Sequence, residues 1–355
     1  MSRVEKLIEI IKKNSLDGLF LITDPNIRYI SGFTGSDSYV LVTQNKNYFI
    51  TDSRYTEQAE VQCKDFDVIR WGKPCKSLIE TLKDLADKEG LKKVGFEKEY
   101  VNYGLYEELS KGLPSIELVP TSSLVEELRY IKDQEEIDNI RKAASFADEA
   151  FDKILKLIKV GMTEKELGLE LEYQMRKAGA DGISFDTIFI SGKKTSLPHG
   201  QPSEKKIEYG DFITMDFGAL CNGYCSDITR TIVVGEVSEE QKKIYDIVKL
   251  AQKTGLETIK AGLVGKDVDA KVREAMGEYN QYFGHGLGHG LGLVIHEQPF
   301  MSANCDRVLE ENCVVTVEPG IYIPNWGGVR IEDTVVVKND GVEILTHSPK
   351  KLIVL

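Results

Sequence analysis

Two aspartates lie where carboxylates are unexpected. Thr214-Met-Asp-Phe-Gly218 and Asn222-Gly-Tyr-Cys-Ser-Asp227 read as the arms of a β-hairpin, with Asn222-Gly223 as its turn. Asp is depleted in strands, yet each arm carries one, Asp216 and Asp227. A turn centred on Cys221-Asn222 sets Asp216 opposite Asp227. A turn centred on Asn222-Gly223 sets Asp216 opposite Thr229, with Asp227 diagonal to it. In either register both carboxylates point to one side, about 5 to 8 Å apart. Two like charges so placed repel unless a proton or a cation lies between them.

A second ribbon repeats the pattern. Thr316-Val-Glu-Pro-Gly-Ile-Tyr-Ile323 and Gly328-Val-Arg-Ile-Glu-Asp333 read as paired strands around Pro324-Asn-Trp-Gly327. Glu318 and Glu332 then fall on one face, and burying them requires a counter-charge, either Arg330 or a metal. Three of the five histidines fall within twelve residues, His285-Gly-Leu-Gly-His289-Gly-Leu-Gly-Leu-Val-Ile-His296. The interleaved glycines let the backbone approach a ligand closely, at a density that suits neither a helix nor a regular strand. Four carboxylates and an imidazole form an oxygen-rich set with charge near −4, suited to two divalent cations that could hold a water as hydroxide near neutral pH. Such a centre attacks carbonyl or phosphoryl groups.

The elements that must position these residues follow from pattern and caps. Asp133 with Glu136 starts the longest helix signal, which extends to Gly161. Thr163 with Glu166 caps a helix reaching Gly179, and Ser238 with Gln241 one reaching about Gly262. Strand and helix runs are segregated after residue 132, which predicts an α+β domain with an antiparallel sheet. Residues 1–122 alternate instead and predict a smaller α/β domain, joined through a linker at 123–131. Its elements are a helix over 3–13, a strand at Gly18–Ile22, a hairpin of Tyr39–Thr43 with Tyr48–Thr51, a helix opened by Asp52-Ser53, a helix over 77–89, a strand at Val94–Phe96 and a helix over 101–111. The Gly-rich stretch Tyr29–Asp37 reads either as a ligand loop or as a tight connection.

Composition excludes several classes. The 355 residues carry 57 Asp and Glu against 45 Lys and Arg, a formal net charge of −12, which argues against a nucleic-acid surface. No run reaches the length of a membrane span, and charges interrupt any signal-peptide core at the N-terminus. Six scattered cysteines, at 63, 75, 221, 225, 305 and 313, read as reduced thiols. A cytoplasmic protein is expected.

The chain resembles the pita-bread metallopeptidases, whose Asp, Asp, His, Glu, Glu pattern is matched by Asp216, Asp227, His289, Glu318 and Glu332. The surrounding Met-Asp-Phe-Gly, Ser-Asp-Ile-Thr-Arg, His-Gly-Leu-Gly-His-Gly, Val-Glu-Pro-Gly-Ile-Tyr and Arg-Ile-Glu-Asp match as well. The N-terminal region resembles the creatinase-type domain of Xaa-Pro aminopeptidases and Xaa-Pro dipeptidases (prolidases), so the resemblance covers nearly the whole chain. It implies a curved antiparallel sheet flanked by helices. It also implies two divalent metals, Mn first with Co, Zn or Fe as alternatives. Asp216 would hold one metal and His289 the other, with Asp227 and Glu332 bridging and Glu318 both ligand and general base. His199 would line the site near the leaving amine, and His296 would meet the substrate carbonyl. His285 would be a further active-site group and Arg330 a brace, while His347 has no counterpart and is expected on the surface.

The implied reaction is hydrolysis of the bond between an N-terminal residue and a following proline, in a homodimer. Some prolidases carry an Arg just after His-Glu-x-Pro, where this chain has Phe300. That difference favours a peptide-length-tolerant aminopeptidase P over the alternative, a strict dipeptidase. A pita-bread binding module without activity is disfavoured because no ligand position is lost.

Overall fold

A computed structural model describes residues 1–355. The chain folds into two compact units, Met1–Arg129 and Tyr130–Leu355. The first unit holds a six-stranded sheet in the spatial order Asp67–Arg70, Asn47–Thr51, Tyr39–Thr43, Gly18–Leu21, Lys93–Glu97, Glu117–Thr121. The sheet is mixed. Gly18–Leu21 pairs antiparallel with Tyr39–Thr43 and parallel with Lys93–Glu97. Capping boxes at Ser2 and Ser77 start the helices Arg3–Lys13 and Leu78–Glu89.

Three details of this unit differ from the sequence reading. Asp52 does not open a helix: its Oδ1 accepts the Arg54 N–H at 2.8 Å, a local turn that competes with helix, and the helix begins at Thr56. Asp24–Ser31 forms a helix with Pro25 in its first turn, ended by Gly32 at φ 76°, so Tyr29–Ser31 is helical and not loop. The strands Asp67–Arg70 and Glu117–Thr121 lie at the two edges of the sheet and carry no strong apolar alternation.

In the second unit every pairing between named strands is antiparallel. Helices Gln134–Ile154 and Glu164–Ala178 pack Ala147, Phe151, Leu167 and Leu171 against Phe189, Met215 and Phe217. Helices Glu239–Thr258 and Gly265–Ala275 pack Val248, Val268 and Val272 against Val315, Val317 and Val335. The expected caps at Asp133, Thr163 and Ser238 are all formed. The first helix stops at Ile154, short of Gly161, and the third at Thr258, where Ile259 turns extended. Helix Gly265–Ala275 has no counterpart among the expected elements. Val264 at its N-cap makes no side-chain cap bond, so the usual start signal is missing.

Both carboxylate ribbons form in defined register. Asn222 and Gly223, at φ 48° and 76°, make the turn that pairs Cys221 with Tyr224. Farther along the ribbon Asp216 faces Thr229, the second of the two expected registers. Continuing that register sets Asp227 opposite Gly218, where a Cβ would lie 1.9 Å from the Ser226 carbonyl oxygen. On the second ribbon Val317 pairs with Asp333 and Gly320 with Arg330, so Glu318 and Glu332 stand opposite one another between the paired segments.

Candidate metal centre

The two ribbons meet through side chains. Thr229 Oγ1 donates to Glu332 Oε2 at 2.7 Å, and the Glu332 N–H donates to the Thr229 carbonyl at 3.1 Å. Thr231 Oγ1 donates to the Arg330 carbonyl, and Thr334 Oγ1 to the Asp227 carbonyl. These bonds bring carboxylate oxygens of Asp216, Asp227 and Glu332 within 4.8 Å of one another. His289 Nε2 stands 3.3 Å from Glu318 Oε1 and 3.6 Å from Asp227 Oδ2. The five residues singled out in the sequence thus converge, with Asp227 common to both groups.

The glycines explain how His289 gets there. Gly288–Gly290 is a three-residue strand between Glu297–Met301 and Val314–Val317, with a register shift after His289. A Cβ on Gly288 would lie 2.1 Å from the Thr316 carbonyl oxygen, and one on Gly290 2.3 Å from that of Gln298. The glycine run is thus no regular strand, in keeping with the sequence reading: only three of its residues pair, and the register shifts within them. Its alternate glycines admit neighbouring backbones while His289 points the other way.

The residues fit a cation better than they fit each other. Asp216 Oδ1, Asp227 Oδ1 and Glu332 Oε1 are buried and have no hydrogen-bond partner. Orphaned buried oxygens are costly, and three of them on clustered carboxylates call for a proton or a cation among them. His289 Nδ1 shares a 3.0 Å bond with the Gly290 carbonyl, so the proton belongs on Nδ1 and the Nε2 lone pair faces the carboxylates. Burial lowers the pKa of His289, keeping it neutral as a metal ligand must be. Burial first, and then the mutual repulsion with Glu332, Asp216 and Glu318, holds Asp227 well above the usual carboxylate range. Burial and the neighbouring Glu318 and Asp216 do the same to Glu332. Burial pushes Glu318 up to about 7.

Arg330 pairs with Asp216, at 2.6 Å, and not with either Glu of its own ribbon. Its Nε donates to Thr229 Oγ1, and another nitrogen donates to Tyr322 Oη at 2.8 Å. Tyr322 in turn shares a 2.8 Å bond with His285 Nε2, whose Nδ1 faces the Gly286 carbonyl. Burial and the Arg330 charge lower His285 to about 4, so it is a neutral imidazole that accepts from Tyr322. Sequence reasoning assigns Tyr322 no role. Its position four residues after Glu318, on the same ribbon, is the available signal.

A cavity of about 550 Å³ opens onto these groups. Phe185, Ile188, Pro198 and Phe300 give it apolar walls, and His199 and His296 reach it from exposed positions. The His296 ring stands 4.4 Å from that of His289, edge to face. His347 is exposed and away from the cavity.

Antiparallel sheets backed by two helix pairs, with buried carboxylates and the buried His289 facing an open cavity, define a metal-dependent hydrolase. Residues 138–339 match Metallopeptidase family M24, and residues 3–131 match the Creatinase/Prolidase N-terminal domain. The chain belongs to family M24, and its fold is the pita-bread fold with a creatinase-like N-terminal domain.

Three relatives cover it end to end. The Xaa-Pro dipeptidase from Bacillus anthracis superposes with a TM-score of 0.96 at 46% identity, over 99% of each chain. The X-Pro aminopeptidase from Thermotoga maritima MSB8 superposes at 0.93 and 40%, over the whole of each chain. The Xaa-Pro dipeptidase of Pyrococcus horikoshii is 40% identical over 99% of this chain and 98% of its own. No helix is long and apolar enough to cross a membrane.

Proposed function

We propose that the protein is an Xaa-Pro dipeptidase of the two-metal kind. The observation that carries this is the convergence of Asp216, Asp227, His289, Glu318 and Glu332, with three oxygens left unpartnered. The relatives named above support the proline-directed reading. They weigh toward the dipeptidase alternative and away from the aminopeptidase P that Phe300 favours.

Asp216 would hold one cation and His289 the other, with Asp227 and Glu332 shared and Glu318 completing the second site. Bound divalent cations would supply Lewis acidity and lower the pKa of water toward neutrality. Glu318 would take the proton from the attacking water and return it to the leaving proline nitrogen. His296 would donate to the developing oxyanion, and His199 would line the leaving-group side. Arg330, braced by Asp216, would keep that carboxylate aimed at the metals. Because Arg330 is committed, the side chains of His199, Gln201 and His296, which line the cavity, would offer the N–H donors that meet the dipeptide's carboxylate. Mn is the proposed metal, on the ground of the oxygen-rich ligands. A homodimer rests on the family resemblance, and a cytoplasmic location on that and on six cysteines that form no disulfide.

Hydrolysis of Xaa-Pro against Xaa-Pro-Yaa tests the choice. Faster turnover of dipeptides supports it, and equal or faster cleavage of tripeptides restores the aminopeptidase.

A further inference from the structure

Behind the ligand ribbons, on the side away from the cavity, lies a buried polar cluster that the reaction does not use. Arg230 is the largest fully buried side chain in the protein. It follows Asp227 by three residues, and its guanidinium donates to the carbonyls of Thr229 and Glu332, on one ribbon and then the other. It also donates to Asp333 Oδ1 at 2.8 Å and, through two nitrogens, to the Ser348 carbonyl. Asp333, next to Glu332, is fully buried and saturated: Oδ1 also accepts Thr346 Oγ1, and Oδ2 accepts Gln252 Nε2 and Lys350 Nζ. The C-terminal segment is itself tied down, since Asp148 on helix Gln134–Ile154 accepts the N–H groups of His347 and Ser348.

A buried ion pair of this kind is weak evidence for stability, because desolvation offsets most of the attraction. Its geometry suggests another use. The ribbons carrying Asp227 and Glu332 are not joined by a regular ladder. Arg230 is the one side chain that binds backbone carbonyls on both. We propose that Arg230, clamped by Asp333 and by the C-terminal residues 346–350, is a positioning residue that fixes the separation of Asp227 and Glu332, and so the affinity for the second cation. This inference rests on those carboxylates being metal ligands.

The test is calorimetric titration of chelator-treated full-length protein with Mn²⁺ and, separately, Co²⁺, with the Co²⁺ visible spectrum recorded at each step. Arg230→Lys keeps the charge and loses the fork. Lys350→Met removes a partly exposed clamp member and is the safer variant for folding. Val342→Ala, on the strand Gly341–Ile344 away from the clamp, supplies a control for simple loss of stability. The expected result is a second-metal Kd weakened roughly 10- to 100-fold in Arg230→Lys, and less in Lys350→Met, with an altered Co²⁺ spectrum. Val342→Ala should lower Tm and leave both metal steps unchanged. Unchanged titrations and spectra in a folded Lys350→Met or Arg230→Lys overturn the inference, as does an equal weakening in Val342→Ala. Wild-type protein that binds neither metal would instead overturn the metal-centre reading itself.

Discussion

Thr229 Oγ1 donates to Glu332 Oε2 at 2.7 Å, from a strand of one ribbon to the junction of the other. The bond leaves Oε1 of the same carboxylate without a partner and aimed at the candidate metals. Thr229→Val keeps the shape and removes both the donor to Glu332 and the acceptor of the Arg330 Nε–H. It should weaken metal binding about tenfold, as the loss of a bond that orients a ligand does, while the protein still folds. Titration of metal-free protein, with circular dichroism as the folding check, measures this. Wild-type affinity in the variant would show that the bond is incidental.

Removing a proposed ligand should be more severe. Asp227→Ala and Glu332→Ala are expected to lose bound metal and peptidase activity together. Metal analysis after dialysis, alongside dipeptide turnover, checks it; full activity with metal retained would refute the assignment of these carboxylates.

The metal-free protein should respond to pH in a defined direction. Glu318 titrates near 7 when folded, against about 4.3 in an unfolded chain. The folded state therefore binds the extra proton, and the contribution of Glu318 to stability falls as pH rises from about 4 to about 7. His285, held at about 4, works the opposite way, since the unfolded chain takes up its proton first on acidification. Subtracting the Tm of chelated Glu318→Gln from that of chelated wild type cancels the histidines. The difference should decline from about pH 4 to about 7. Metal addition should raise wild-type Tm more at the higher pH, because the cation replaces the protons.

Glycines at the centre should differ sharply in tolerance. Gly288→Ala would put a methyl 2.1 Å from the Thr316 carbonyl oxygen and should cost about 1 to 3 kcal/mol, with loss of metal as His289 shifts. Gly284→Ala meets nothing within 4 Å and should change stability by less than about 0.5 kcal/mol. Thermal melts and metal content of the two proteins decide the point; similar behaviour would count against close backbone approach as the role of Gly288.

Tyr322→Phe breaks the chain from Arg330 to His285. Buried Arg330 and partly buried His285 each lose a partner, at a cost of about 1 to 3 kcal/mol. Turnover is expected to drop at least about tenfold with metal content unchanged, which separates Tyr322 from the ligands. Turnover at the wild-type rate would leave Tyr322 with a packing role only.

The members of the centre, and much of the fold around them, are legible in the order of residues alone. Carboxylates in strands, a turn suited to Asn-Gly, histidines spaced by glycines, and capping boxes at Asp133, Thr163 and Ser238 are all local signals. Local signals survive in one dimension. They locate both ribbons, and the resemblance they carry gives the family. What they do not express is partnership across long separations. That Arg330 pairs with Asp216 and not with a Glu of its own ribbon is settled by the crossing of the two ribbons. So are the roles of Thr229 and Tyr322. Two registers stay open for Asp216 and Asp227 in one dimension, because both put the carboxylates on one face. The two-residue turn at Asn222-Gly223, both residues at positive φ, chooses between them; what only the tertiary structure decides is the meeting of this ribbon with the second, where the bonds between Thr229 and Glu332 hold Asp227 where both groups of ligands can reach it.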